Sequence, residues 1–356
     1  MPKDDDHWHL AGTQTALLLP GVGASFALQQ ISIPQAGPGE VLVKNYAAGL
    51  NPIDYKTQES GFYVVREYPA ILGFEGAGVV SAIGEGVIHL KEGDRVAYQG
   101  VATNKGRSFQ QWVVTSADWV FKLPNSISFD TAAAIPIALL AAVIGTYQPP
   151  PHGLGVATPW SSTGRSAHSG SPIVVLGGTS NVGQYAIQLA RLAGFDAIIT
   201  TASPRNSSLL QRLGATHVLD RSLSIEALVQ EVEKITGNKK VLHVFDAVGI
   251  AETQQAALSI VAEGGKVLTT NAPQGKAPEG SDKQVVFVMG ALMVPQHQAF
   301  GKEFLSVWAS LFESGDIKAS AVEIVPGGLN GVETTLKQLK TISGKKFVVR
   351  PFETDV

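Results

Sequence analysis

The chain has no cysteine among its 356 residues, which excludes disulfides and every thiolate ligand for zinc. Its eight histidines form no His-Glu-x-x-His, and the closest-spaced pair, His7 and His9, falls in a polar N-terminal stretch where both read as solvated. No metal is expected. There is no Gly-x-Ser-x-Gly elbow either, because Gly178-Thr-Ser180 continues into Asn-Val; Ser180 therefore reads as a phosphate-lining residue, and hydrolase chemistry drops away. A long apolar run is also missing: residues 132–144 are interrupted by Pro136 and fall well short of the roughly 20 residues that span a bilayer. With a net charge of −3 there is no basic stripe, so neither nucleic acid nor membrane is expected as a partner. The opening Met-Pro-Lys-Asp-Asp-Asp-His-Trp-His is acidic and polar where a signal peptide is basic and then apolar. A cytoplasmic location is the resulting expectation.

What is present is more specific. Ile173-Val-Val-Leu-Gly-Gly-Thr-Ser-Asn-Val-Gly183 is an apolar strand running into a glycine-rich turn, followed by the helical pattern Gln184-Tyr-Ala-Ile-Gln-Leu-Ala-Arg-Leu. A turn so tight needs residues without bulk, and it sets backbone N–H groups at a helix start, where they and the helix dipole favour a pyrophosphate. Gly178, Thr179, Ser180, Asn181, Val182 and Gly183 are the expected contacts, although Ser180 takes the middle glycine's place in Gly-x-Gly-x-x-Gly. An acidic residue that holds an unmodified ribose is expected about 20 residues past the turn. Ser203-Pro204-Arg205-Asn206 stands there instead. A carboxylate repels a 2′-phosphate, whereas a guanidinium forks onto it; the reading is NADPH over NADH. The competing reading makes Arg205 a solvated residue behind a serine N-cap.

Along the chain, short strands at about 15–19, 41–48, 76–83, 94–98 and 111–114 predict a twisted β domain over 1–140. Strands at Ile173, Ala197, His217, Val241, Lys266 and Val285 alternate with helical patterns, the rhythm of a doubly wound parallel sheet, over 141–295. The last segment, 296–356, carries an amphipathic helix (Phe304, Val307, Trp308, Leu311), another near Leu336 and a closing strand at 346–350, and is expected to return to the first domain. Residues 148–172 are rich in Pro, Gly and Ser and lack periodicity, which predicts a mobile surface loop; Trp160 within it covers a ligand or, more simply, packs on a neighbouring surface.

Taken together, Gly49-Leu-Asn-Pro-Ile-Asp54, Pro69-Ala-Ile-Leu-Gly-Phe-Glu-Gly-Ala-Gly-Val79, Gly84-Glu-Gly-Val87, Glu92-Gly-Asp-Arg-Val96, Ala132-Ala-Ala-Ile-Pro136 and Gly344-Lys-Lys-Phe-Val-Val349 resemble the medium-chain dehydrogenase/reductase superfamily over nearly the whole chain. The resemblance implies an α/β fold: a GroES-like twisted β catalytic domain plus a Rossmann domain. In the zinc-dependent branch a cysteine stands at the position of Asn51 and a histidine at that of Phe74, and a four-cysteine structural lobe is present. This chain resembles the zinc-independent quinone and enoyl reductases instead, and most closely the fungal trans-acting enoyl reductases of polyketide pathways.

That resemblance implies roles by position. Asn51, Pro52, Ile53 and Asp54 lie against the nicotinamide end, Ala272 and Pro273 add a contact, and Phe347 and Val348 close over the dinucleotide. Arg221 stands where relatives place a phosphate-binding tyrosine, and an arginine there also suits the 2′-phosphate. Lys56 and, allowing a one-residue insertion, Tyr63 are the candidate catalytic proton donors. The alternative makes Asn51-Pro-Ile-Asp54 an ordinary helix start with Lys56 solvated on it. Substrate contacts are implied for Pro136, Ile137, Ala138, Leu139, Leu140 and Val143, and for Val288, Met289, Ala291 and Leu292. These suit an apolar unsaturated carbonyl or quinone, with core packing as the plain alternative.

The expectation is thus an NADPH-dependent reductase of an activated C=C, its substrate a free small molecule or one tethered to the carrier of a polyketide synthase partner. The alternative is an NADPH-binding protein with lost catalysis that serves as a structural or regulatory partner. Relatives dimerise by continuing the parallel sheet across its last strand, and Val285-Val-Phe-Val-Met289 is apolar enough for that, which leaves monomer and homodimer both open.

Overall fold

The computed structural model describes residues 12–61, 65 and 67–355. The chain divides into two compact units. The first takes in the chain up to Pro136 together with Ala321–Ile342 and the chain from Lys346 onward; the second is Ile137–Ser320 with Ser343–Lys345.

In the first unit, a seven-stranded sheet runs in the order Ala321–Ile324, Lys345–Val349, Glu40–Gly49, Glu75–Ile83, Arg95–Gln99, Val120–Lys122, with Trp112–Ser116 also paired to Glu40–Gly49. A three-stranded sheet of Ala27–Ser32, Thr13–Leu19 and Ala70–Ile71 accompanies it. Val41 and Val43 share a hydrophobic cluster with Val80, Val96 and Val113 from neighbouring strands, and Leu42 between them is buried on the opposite face. Two irregularities between Glu40–Gly49 and Glu75–Ile83 twist the pair. The antiparallel partnership of Val348 with Gly49 brings the end of the chain to its first quarter.

In the second unit, six parallel strands are ordered His217–Asp220, Ala197–Ala202, Pro172–Leu176, His243–Asp246, Lys266–Thr269, Gln284–Phe287. In chain order that is 3-2-1-4-5-6, so the topology reverses between Pro172–Leu176 and His243–Asp246. Ligands bind outside the carboxyl ends of the strands at such a reversal. Pro172–Leu176 is buried along its whole length, as a central strand covered on both faces must be. Gln284–Phe287 forms the edge of the sheet.

Two expectations are corrected. The return to the first unit begins at Ala321 and not near 296. Helix Gln298–Glu313 buries Phe304, Trp308 and Leu311, and the turn after it is tied down by Arg165 to Asp316 Oδ2, Arg191 to the Asp316 carbonyl and Gln188 to the Lys318 backbone. All of these partners belong to the second unit. Residues 148–172 are irregular but anchored. Trp160 lies at ring-contact distance from Tyr147, Phe300 and Phe304 and donates its indole N–H to Glu303, while His168 stacks on Phe195 with His243 at the edge. Each aromatic anchor offsets the ordering entropy that the composition alone leaves uncompensated.

Candidate functional site

The glycine-rich turn owes its shape to three close approaches. Gly177 adopts φ +79°, and a Cβ on it would meet Val248 Cγ2 at 2.3 Å. At Gly178 a Cβ would stand 2.2 Å from Thr200 Oγ1, and at Gly183 it would stand 2.4 Å from the Gly177 carbonyl oxygen. The last contact lets helix Asn181–Leu192 begin directly on the strand end. Ser180 is its N-cap, accepting from the Gly183 N–H at 3.0 Å, so the hydroxyl shapes the turn. The first-turn N–H groups of Asn181 and Val182 have no intrahelical acceptor, and the buried Asn181 Oδ1 has no hydrogen-bond partner in the protein. Polar groups of this kind, at a helix start beside the topological reversal, fit a dinucleotide pyrophosphate.

The next strand end supplies the cations. Ala202 pairs with Asp220, and the Arg221 N–H donates to the Ala202 carbonyl at 3.0 Å. Arg221 therefore stands one residue past the Ala202–Asp220 pair, level with Ser203, the N-cap of the 3-10 turn Pro204–Asn206. Arg205 and Arg221 are both exposed. Sequence reasoning missed a third participant: Asn206 donates to Ser343 Oγ at 3.2 Å, and the Gly344 N–H donates to the Thr179 carbonyl at 3.2 Å. Residues 343–345 thus lie against the glycine-rich turn and the Arg205 turn together, a contact across more than a hundred residues that no local pattern encodes.

Ala272 and Pro273 reach the turn through two amides. Gln254, 3% exposed, donates to the carbonyls of Gly249 and Ala272 and accepts from Gln274 N–H, and Asn271 donates to the Val248 carbonyl. Asp246 closes the same loop by accepting from the N–H groups of Val248 and Gly249 and from Thr253 Oγ1; burial pushes its carboxyl up. Gln254 and Asp246 tie these loops together, and the sequence pattern does not single them out.

The ten expected substrate residues divide by exposure. Ala138, Leu139, Leu140, Val143, Val288 and Leu292 are buried, and Pro136 is too. Ile137, Ala291 and above all Met289, 43% exposed, present apolar surface. The two stretches meet, because a Cβ on Gly290 would lie 2.8 Å from Ala141 Cα. The glycine lets 288–292 lie directly on helix Pro136–Tyr147.

In the first unit, helix Pro52–Ser60 starts at Asn51, with Pro52 at its first position and the Asn51 N–H donating to Asp54 Oδ2 at 2.7 Å. Asp54 is fully buried and also accepts from Gly73 N–H at 3.0 Å. Burial pushes its carboxyl up to about 7, against the pull of those two N–H groups and of the Lys346 and Arg107 charges. Beside it, Asn51 donates to Glu75 Oε1 at 2.8 Å and accepts from Lys346 Nζ at 2.6 Å, and Lys346 lies 2.6 Å from Glu75 Oε1. Gly49 makes room for the carboxylate, since a Cβ there would stand 2.7 Å from Glu75 Oε1. Phe347 and Val348 are buried, Phe347 within a hydrophobic cluster of this unit. Pro52 is exposed and Ile53 half-buried. Lys56 is half-buried as well, and burial lowers its ammonium pKa, which eases proton release. Tyr63 lies outside the described residues.

Asp54 carries a pH prediction. A carboxyl whose folded pKa exceeds its unfolded value binds its proton more tightly when folded, so this contribution is complete below about pH 4 and is lost as pH rises towards 7. The full span amounts to at most about 4 kcal/mol. Urea midpoints across that range should fall for the native protein and stay flatter for Asp54→Asn. Parallel curves would show that Asp54 does not titrate with folding.

The chain matches two protein families: Alcohol dehydrogenase GroES-like domain over residues 37–125 and Zinc-binding dehydrogenase over 181–306. It is 33% identical over 353 residues to Dehydrogenase azaJ of Aspergillus niger, covering 95% of this chain and 99% of that one. It is 31% identical over 355 residues to Trans-enoyl reductase tndF of Aspergillus flavipes, covering 96% and 99%. An alcohol dehydrogenase superfamily protein from Novosphingobium aromaticivorans shares the fold, with a TM-score of 0.81 at 22% identity over 95% of this chain and 99% of that one. Among the described residues, no three His, Cys, Asp or Glu side chains group in a way that could hold a metal ion, and no helix is long and apolar enough to cross a membrane.

Proposed function

Because this chain belongs to the medium-chain dehydrogenase/reductase superfamily, we propose that it is an NADPH-dependent, zinc-independent oxidoreductase that reduces an activated C=C. The preferred substrate class is an apolar enoyl, enone or quinone, including an enoyl group delivered on the carrier of a polyketide synthase. The observation that carries the reading is the pair of arginines, Arg205 and Arg221, at adjacent strand ends beside the glycine-rich turn, with no carboxylate at the position where an unmodified ribose is held. The similarity to a trans-enoyl reductase supports the reaction type.

When bound, the reduced dinucleotide supplies the hydride that adds to the substrate's β-carbon. The first-turn N–H groups of Asn181 and Val182 hold the pyrophosphate, Arg205 and Arg221 the 2′-phosphate, and Asn51 to Asp54 orient the nicotinamide end. Ile137, Met289 and Ala291 give the apolar surface for the acyl chain. Lys56, with its ammonium pKa lowered by burial, releases a proton as enolate charge is quenched at the α-carbon.

The test is loss of reduced-nicotinamide absorbance with a panel of enones, quinones and carrier-tethered enoyl thioesters. Turnover of at least one class is expected, and the Lys56→Met enzyme should lose about two to four orders of magnitude in kcat. Tight NADPH binding without oxidation by any member of the panel would replace this reading with that of a binding protein.

A further inference from the structure

The first unit buries four ionisable side chains together: Asp54 and Glu75 at 0% exposure, Lys346 at 2% and Arg107 at 3%. Lys346 Nζ lies 2.6 Å from both Glu75 Oε1 and Asn51 Oδ1. The Arg107 guanidinium lies 3.9 Å from the Phe74 ring centroid. Asn51 and Phe74 are the positions at which the zinc-dependent branch of the superfamily carries a cysteine and a histidine. Here each of them has a cation against it. A divalent metal does not fit this arrangement: the Asn51 oxygen and one Glu75 oxygen are taken by an ammonium, and further positive charge would be buried beside two bases.

We infer that Lys346 is a built-in cation, taking the electrostatic place of a metal ion beside Glu75 and holding the Asn51 amide in one orientation. The amide is fully engaged, its oxygen on Lys346 and its nitrogen on Glu75 and the Gly49 carbonyl. Rotating it by half a turn would set NH₂ against ammonium and oxygen against carboxylate, so the ion pair selects a single state. Asn51 in turn begins helix Pro52–Ser60. Lys346 and Glu75 are therefore positioning residues for the segment that, on the functional reading above, faces the nicotinamide.

Three proteins test this: Lys346→Met, Glu75→Gln, and the double variant. Each single change leaves a buried charge uncompensated, and Tm should fall by roughly 10 °C. The double variant removes both charges and should recover most of that loss. Its kcat should nevertheless stay about ten- to a hundredfold low, because the amide is no longer held, while KM for NADPH changes by less than about twofold. Recovery of Tm and kcat together in the double variant would make the pair merely structural and overturn the inference. So would stoichiometric zinc in the native chain that disappears in Glu75→Gln. Should the native protein reduce no substrate, the functional reading fails while the Tm coupling and zinc content still decide the role of the cation.

Discussion

Gly183→Ala is expected to abolish measurable NADPH binding and to lower stability by about 1–3 kcal/mol, the usual cost of forcing a methyl group into a packed interior. The added Cβ would stand 2.4 Å from the Gly177 carbonyl oxygen and 2.9 Å from Gly178 Cα. Both are backbone atoms, so no side chain can swing aside, and the first turn of helix Asn181–Leu192 must lift from the strand end. Lifting it misdirects the N–H groups of Asn181 and Val182, the groups proposed to hold the pyrophosphate. A control substitution at Gly170, where no atom lies within 4 Å of a built Cβ but φ is +81°, should cost only the backbone strain of a positive φ and leave binding intact. Fluorescence titration with NADPH and urea unfolding measure the two effects. Retained affinity in Gly183→Ala would show that the dinucleotide does not use this helix start.

The second large effect concerns the choice of coenzyme. Charge-assisted hydrogen bonds contribute about 1.5–3 kcal/mol each, so removing both guanidiniums in Arg205→Ala/Arg221→Ala should cut the NADPH-to-NADH ratio of kcat/KM by about two to four orders of magnitude. Turnover with NADH should change little, because neither arginine has a carboxylate or phosphate to meet on the non-phosphorylated ribose. Each single variant is expected to lose about half of the logarithmic effect, since both side chains are exposed and independently placed. The preference should also weaken at high salt, as exposed charge pairs do. An unchanged coenzyme ratio in the double variant would remove the basis for assigning NADPH.

The same two sites show how much of the protein is legible in its amino-acid order. The glycine-rich turn is readable because its causes are local: strand, turn and helix follow one another within twenty residues, and each glycine answers to a neighbour in that stretch or on an adjacent strand end. The sheet order follows from alternation, since parallel strands joined by helices wind in one direction and reverse once. The absence of thiols is equally plain. By contrast, the extent of the second unit past residue 296 is not legible, because helix Gln298–Glu313 is amphipathic and suits either unit; only Phe304 meeting Trp160, and Asp316 meeting Arg165 and Arg191, decide it. The stretch 148–172 suggests mobility and is anchored instead, because Pro, Gly and Ser describe the backbone and say nothing of where one tryptophan packs.

Lys345 and Lys346 mark the limit most clearly. They are adjacent, identical in chemistry and set in one motif, yet one is exposed and the other is 2% exposed. Side chains on a strand alternate between faces, and which lysine turns inward depends on the register with Glu40–Gly49, where Val348 faces Gly49. The order of amino acids alone determined two compact units, a glycine-rich strand–turn–helix and a chain without thiol chemistry, because each arises from periodicity, composition or contacts between near neighbours. Only the tertiary structure decided that an ammonium stands between Asn51 and Glu75. A buried charge is stable only beside its partner, and that partner lies hundreds of residues away along the chain, brought near by strand pairing.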